Sequence, residues 1–214
     1  MSSPHADARL SPAERAVRRR LAGLEEAAAA DVRALMDAGL ALMVERGDGR
    51  GPRVADIVAA AGLSNDAFYR YFSGKEALVE AIVDRGARTL TAYVARRVAA
   101  ETDPVEAIRA GVLAVLKQVS DAALARQTRA VLGNSLSMSP GSVHVSVRLV
   151  EDLADVFAGP LTALASPAPA SAARTIASAT VGTLHYYLFK GDLPSTPETE
   201  ALVSFLLTGA TPAT

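Results

Sequence analysis

Five residues between positions 53 and 75 have the clearest chemistry in the chain: Arg53, Asn65, Asp66, Arg70 and Lys75. Their types suit hydrogen bonding to a nucleic acid rather than bond making. An Asn side chain can pair with an adenine edge, Arg with guanine, and a carboxylate can accept from a cytosine amino group. Asn65 and Arg70 could equally touch only the sugar-phosphate backbone or face solvent. Ala67 can meet a thymine methyl or simply leave room for close approach. Lys75 falls at the start of an expected helix, where a cation opposes the helix dipole unless an anion lies beyond the helix end.

The elements that must position these groups are two short helices, expected over 53–60 and 65–71, joined by Ala61-Gly62-Leu63-Ser64. Val54, Ile57 and Val58 give the first an inner face, and Leu63 and Phe68 can pack from the turn and the second. Ser64 is suited to cap the second helix, leaving its first residues pointing outward. Two helices joined by a tight glycine turn form a helix-turn-helix, whose second helix fits the major groove of DNA. A helix over 24–46 precedes them, with Val32, Leu35, Met36, Leu40 and Met43 on one face, and the glycine- and proline-rich run 47–52 stops it.

Residues 1–10 are polar and read as disordered. Ser11-Pro12-Ala13-Glu14 has the form of a capping box, opening a short basic helix that ends near Gly23. Over 1–24, five arginines against Asp7 and Glu14 give a local charge of +3. This arm could track DNA or be a solvated face. Ser73-Gly74-Lys75-Glu76 suggests a second box, opening a long helix, and Asp103-Pro104-Val105-Glu106 a third. Further helices are expected over 104–119, 121–136, 143–166, 170–190 and 197–208, with a break over 137–142. Positions 143–150 alternate like a strand, but a lone strand is not stable and the segment runs into helical periodicity. It is read as helix.

Residues 31–83 resemble the DNA-binding domain of the TetR family of transcriptional regulators. The strings that carry the likeness are Leu35-Met-Asp-Ala-Gly-Leu-Ala-Leu-Met43-Val-Glu-Arg-Gly47, Val54-Ala-Asp-Ile-Val-Ala-Ala-Ala-Gly62-Leu-Ser64 and Phe68-Tyr69-Arg70-Tyr71-Phe72-Ser-Gly-Lys75-Glu76-Ala-Leu78. The resemblance implies that Tyr69 contacts a phosphate, as a phenol can, and it favours the same for Lys75. Ser64 is first a cap and secondarily a phosphate contact. Phe68, Tyr71 and Phe72 are core or docking residues. The chain departs from the pattern at Pro52 and Arg53, where a hydroxyl residue is usual, at Asn65, often basic in the family, and at Asp66, commonly small. Arg53 can still reach a phosphate. These departures bear on the target sequence.

The resemblance further implies an all-α fold: an N-terminal arm (1–23), a helix-turn-helix domain (24–74) and a larger helical ligand-binding and dimerisation domain (75–214). Its last two helices would carry the dimer contact. Ala173, Ala177, Thr180, Val181, Leu184 and Leu188 share a face, and Leu202, Phe205 and Leu206 form a second stripe, so burial between two subunits is expected there. Polar candidates for ligand contact are Tyr93, Gln127, Asn134, His144, His185 and Tyr186, and an apolar-walled pocket would suit an apolar or amphipathic effector.

Composition agrees with close-packed helices: 214 residues, 44 of them alanine, half hydrophobic, with neither cysteine nor tryptophan. The absent cysteines exclude disulfides, thiolate zinc sites and thiol catalysis. Glu151 and Asp155, at i and i+4, lack a second acidic cluster, and the three histidines have no metal spacing. No catalytic or cofactor fingerprint occurs, so neither enzyme activity, metal nor cofactor is expected. Met1 to Leu10 lacks a signal-type apolar run and no stretch of about 18 apolar residues exists, so a cytoplasmic protein free of the membrane is expected. The net charge of −1 requires any DNA contact to be local. The expectation is a ligand-responsive homodimeric regulator, a repressor by analogy, reading a pseudo-palindromic double-stranded operator. The alternative is a ligand-binding or interaction protein of the same fold without operator binding.

Overall fold

The computed structural model describes residues 11–47, 51–136 and 141–210, which form helices and no strand. In chain order these are α1 (Pro12–Arg46), α2 (Val54–Ala61), α3 (Asn65–Tyr71), α4 (Lys75–Ala99), α5 (Pro104–Ser120), α6 (Ala122–Leu136), α7 (Gly141–Ala163), α8 (Pro169–Lys190) and α9 (Thr196–Ala210). The expected disorder of 1–10 and positions 137–140 of the expected break lie outside the described residues, while positions 141 and 142 of that break already belong to α7. Positions 143–150 are helical, as the continuation into α7 required.

Local chemistry sets most of the boundaries. Ser11 and Glu14 exchange hydrogen bonds in a capping box, with Pro12 at the first helical position. The Asp103 carboxylate accepts from the N–H groups of Val105 and Glu106, again ahead of a proline. Two expectations fail. The stop at Gly23 does not occur: α1 runs unbroken from Pro12 to Arg46, because a glycine in helical conformation costs only about 1 kcal/mol and alanine-rich neighbours supply the propensity. The box at Ser73 does not form either: α4 starts one residue later, with Gly74 as its cap and no side-chain bond to its first N–H groups.

Two hydrophobic cores result. The front core joins Leu35, Met36 and Met43 of α1, Ile57 and Val58 of α2, Phe68 of α3, and Leu78, Val79 and Ile82 of α4. The rear core takes Leu90, Val94 and Val98 from the same α4 and packs them among α5, α7, α8 and α9. Helix α4 is therefore a beam shared by both. Helix α6 is a second link, since its Ala130 is buried in the front core. The α5–α7 crossing is close because Gly111 faces Phe157; a Cβ there would fall 2.4 Å from the ring. The stripe Ala173, Ala177, Thr180, Val181, Leu184 and Leu188 is buried within the protomer and not left free for a second subunit. Tyr186 and Phe189 of α8, Leu193 of the α8–α9 connection and Phe205 of α9 are instead exposed.

Candidate nucleic-acid interface and adjoining cleft

The α2–α3 turn is built as its sequence requires. Gly62 adopts φ 67°, ψ 28°, the left-handed conformation that glycine enters without steric cost. Its N–H and that of Leu63 bond back to Ala59 and Val58, closing α2 in a Schellman turn. Ser64 then caps α3, its Oγ accepting from the Ala67 N–H at 3.1 Å. Phe68 is fully buried and sits against Phe72, with ring centroids 5.7 Å apart. Tyr71 donates its hydroxyl to Asp31 of α1 at 3.1 Å. These contacts fix the roll of a helix only seven residues long.

That roll decides which candidates face outward. Asn65, Asp66, Tyr69 and Arg70 are exposed, and so are Arg53 and Ser64. Tyr69 is 60% exposed, far more than a core tyrosine. Ala67 points the other way, into the core, which removes it from the reading face: with Phe68 it anchors α3. Arg53 flanks α2 and makes no side-chain cap. Lys75, half-buried, opens α4 beside its uncapped N–H groups. Sequence inspection did not single out the ion pair that braces this unit, in which Arg46 at the end of α1 donates to Asp56 of α2 at 2.8 Å. The pair holds the Asp56 carboxyl below its ordinary range.

Behind the front core lies a cleft of about 560 Å³ between α4, α5, α6, α7 and α8. Its walls include Ile82 and Leu90 of α4, Val131 and Leu132 of α6, Val145 of α7 and Leu184 of α8, and Leu40 of α1 reaches it as well. Tyr93, Gln127 and His185, three of the polar candidates, line it. Burial holds His185 below the ordinary imidazole range, so it is neutral near pH 7. Asn134 does not line it: its amide is buried and donates to the carbonyls of Ala130 and Gly47, tying α6 to the end of α1. The side chain of His144 lies outside the described residues. Tyr186 is on the outer surface under Lys190. Arg85, Arg96, Lys117 and Gln118 also line the cleft and were not anticipated; they fall on two helices whose facing sides sequence periodicity does not pair. Glu151 is engaged by Arg174 at 3.0 Å, and no group of three potential metal ligands occurs among the described residues. No described helix is long and apolar enough to cross a membrane.

Residues 35–82 match the family model of bacterial regulatory proteins, tetR family. This segment, a little under a quarter of the chain, is similar to the N-terminal domain of that family. The matched span covers the front-core half of α1, the whole helix-turn-helix and the start of α4. Whole-chain likeness to solved TetR-type folds is consistent. SmeT, the repressor of the Stenotrophomonas maltophilia multidrug efflux pump SmeDEF, is similar with a TM-score of 0.63 at 20% identity, covering 85% of this chain and 90% of that one. A transcriptional regulator from Rhodococcus sp. Rha1 gives 0.63 at 19%, covering 86% and 99%. The transcriptional regulator FadR from Bacillus subtilis, in complex with stearoyl-CoA, gives 0.62 at 16%, covering 83% and 98%. At these identities the likeness shows the fold. No curated protein matches the chain by sequence.

Proposed function

We propose that the protein is a homodimeric, effector-responsive repressor that reads a pseudo-palindromic operator. The observation that carries this reading is the exposed face of α3. Asn65, Asp66, Tyr69 and Arg70 are exposed while Ala67 and Phe68 are buried, so the helix presents polar groups from its N-terminal end outward. Asn65 and Arg70 suit base edges, and Asp66 suits a cytosine amino group where a phosphate would repel it. Tyr69, Ser64 and Arg53 suit phosphates, and Lys75 beside uncapped N–H groups forms a cationic corner for another.

Two units related by a two-fold axis would read two half-sites. The exposed aromatic side chains of α8 and α9 support a dimer built from these helices. Response to an effector needs an element that both sites bias. Helices α4 and α6 qualify, since each lines the cleft and each is packed into the front core. The Arg85–Asp37 bond, at 2.7 Å, and the Asn134–Gly47 bond join the same two regions. An effector that parts α4 from α6 would therefore move α1 and the helix-turn-helix with it. The test is fluorescence anisotropy with duplex DNA flanking the protein's own gene, at several salt concentrations. Tight binding that weakens steeply with salt is expected. Absent or salt-insensitive binding would favour a TetR-type fold without operator function.

A further inference from the structure

We infer that the cleft takes an amphipathic anion: an apolar body with one carboxylate-type head group. This rests on the reading of the cleft as the effector site and deepens it to a ligand class. The cleft is lined by the cations Arg85, Arg96 and Lys117 and by no aspartate or glutamate. Arg85 is neutralised by Asp37. Arg96 and Lys117 form no ion pair among the described residues, and both stand over one ring, with Arg96 Cζ 6.0 Å and Lys117 Nζ 5.7 Å from the centroid of Tyr93. Glu101 and Glu106 line the recess beyond Tyr93 with Lys117, but Glu106 is held by Arg109, which Glu200 also engages. Two cations gathered at one aromatic ring repel each other, and an anion seated between them removes that repulsion.

The arrangement also has polarity along its depth. Arg96 and Lys117 are exposed, so they mark the mouth. Ile82, Leu90, Val145 and Leu184 are buried, so they mark the floor. An ion is costly to place on that floor and an alkyl chain is not. A ligand charged at one end satisfies both ends of the cleft; a cationic or uncharged amphiphile satisfies only the floor.

Calorimetry on the full chain with dodecanoate, dodecan-1-ol and dodecyltrimethylammonium, each below micelle formation, tests the inference. Dodecanoate is expected to bind about tenfold more tightly than either of the others. Arg96→Gln and Lys117→Gln are each expected to weaken dodecanoate by roughly tenfold and to leave dodecan-1-ol unchanged. Arg126→Gln, at an exposed position of α6 that lines neither the cleft nor the recess, should change neither, which separates a seated head group from a diffuse field. Equal binding of the cation, or wild-type affinity for dodecanoate in both cleft variants, overturns the inference. Anisotropy with the flanking DNA keeps the two readings apart. Loss of the dodecanoate preference with DNA binding intact defeats the ligand class alone; dodecanoate binding as described with no DNA binding defeats the operator reading alone.

Discussion

Lys75 and Tyr69 differ in what they can give a phosphate, and that difference is measurable. Lys75 supplies a full charge beside open N–H groups; Tyr69 supplies one neutral donor from a 60% exposed side chain. Lys75→Ala should weaken binding to all duplex sequences alike and lower the salt slope by about 1. Tyr69→Phe should cost about 0.5–1.5 kcal/mol and leave the slope unchanged. Anisotropy titrations across a salt series would show both, and unchanged affinity in the two variants would remove the phosphate assignment. At this scale the sequence was informative where function follows from residue type and a fixed offset. Ser64 caps α3 because a serine stands three residues before the N–H it accepts from. It was less informative where the outcome depends on roll. Ala67 follows the outward-facing Asn65 and Asp66, and the docking of Phe68 and Tyr71 turns it inward. The cations at Tyr93 were hidden for a similar reason, since Arg96 and Lys117 belong to different helices.

Glycine shows how far a single residue type can specify an element. Gly47, Gly62 and Gly191 end helices at φ values of 78°, 67° and 80°, where a side chain would be strained. Gly23 and Gly111 lie inside helices and serve no turn. Residue identity does not separate the two cases; the surroundings do. A Cβ at Gly23 meets nothing within 4 Å, whereas one at Gly111 strikes Phe157 and Val98. Gly111→Ala should therefore destabilise the fold by about 1–3 kcal/mol through overpacking of α5 on α7. Gly23→Ala should strengthen the N-terminal part of α1 by roughly 0.5–1 kcal/mol. Urea unfolding reads the first change, and amide exchange over 12–30 reads the second. A neutral Gly111→Ala would mean that α5 and α7 do not approach as closely as described.

Helix order and most approximate bounds were legible in the sequence because caps and apolar periodicity are local, although two expected helices are the single α1; the pairing of faces was not legible. The stripe on α8 expected between subunits turned out to fill the rear core, because a helix that is apolar or small nearly all round does not declare which side is intramolecular. What the folded protomer leaves uncovered is a more specific guide. Tyr186, Phe189, Leu193 and Phe205 are 57%, 57%, 62% and 75% exposed on two neighbouring helices and the loop that joins them, a costly arrangement for an isolated monomer in water. Phe205 tests the dimer without touching the core. Since its side chain is mostly in water, Phe205→Asp should leave helix content and unfolding midpoint nearly unchanged if the chain were monomeric. In a dimer using this face the same substitution buries a charge against a second aromatic patch. Light scattering should then show a dimer for the parent chain and a monomer for the variant at micromolar concentration. Operator affinity should fall with it, because a monomer engages one half-site and loses the linkage between the two. A variant that remains dimeric would place the interface elsewhere on the molecule.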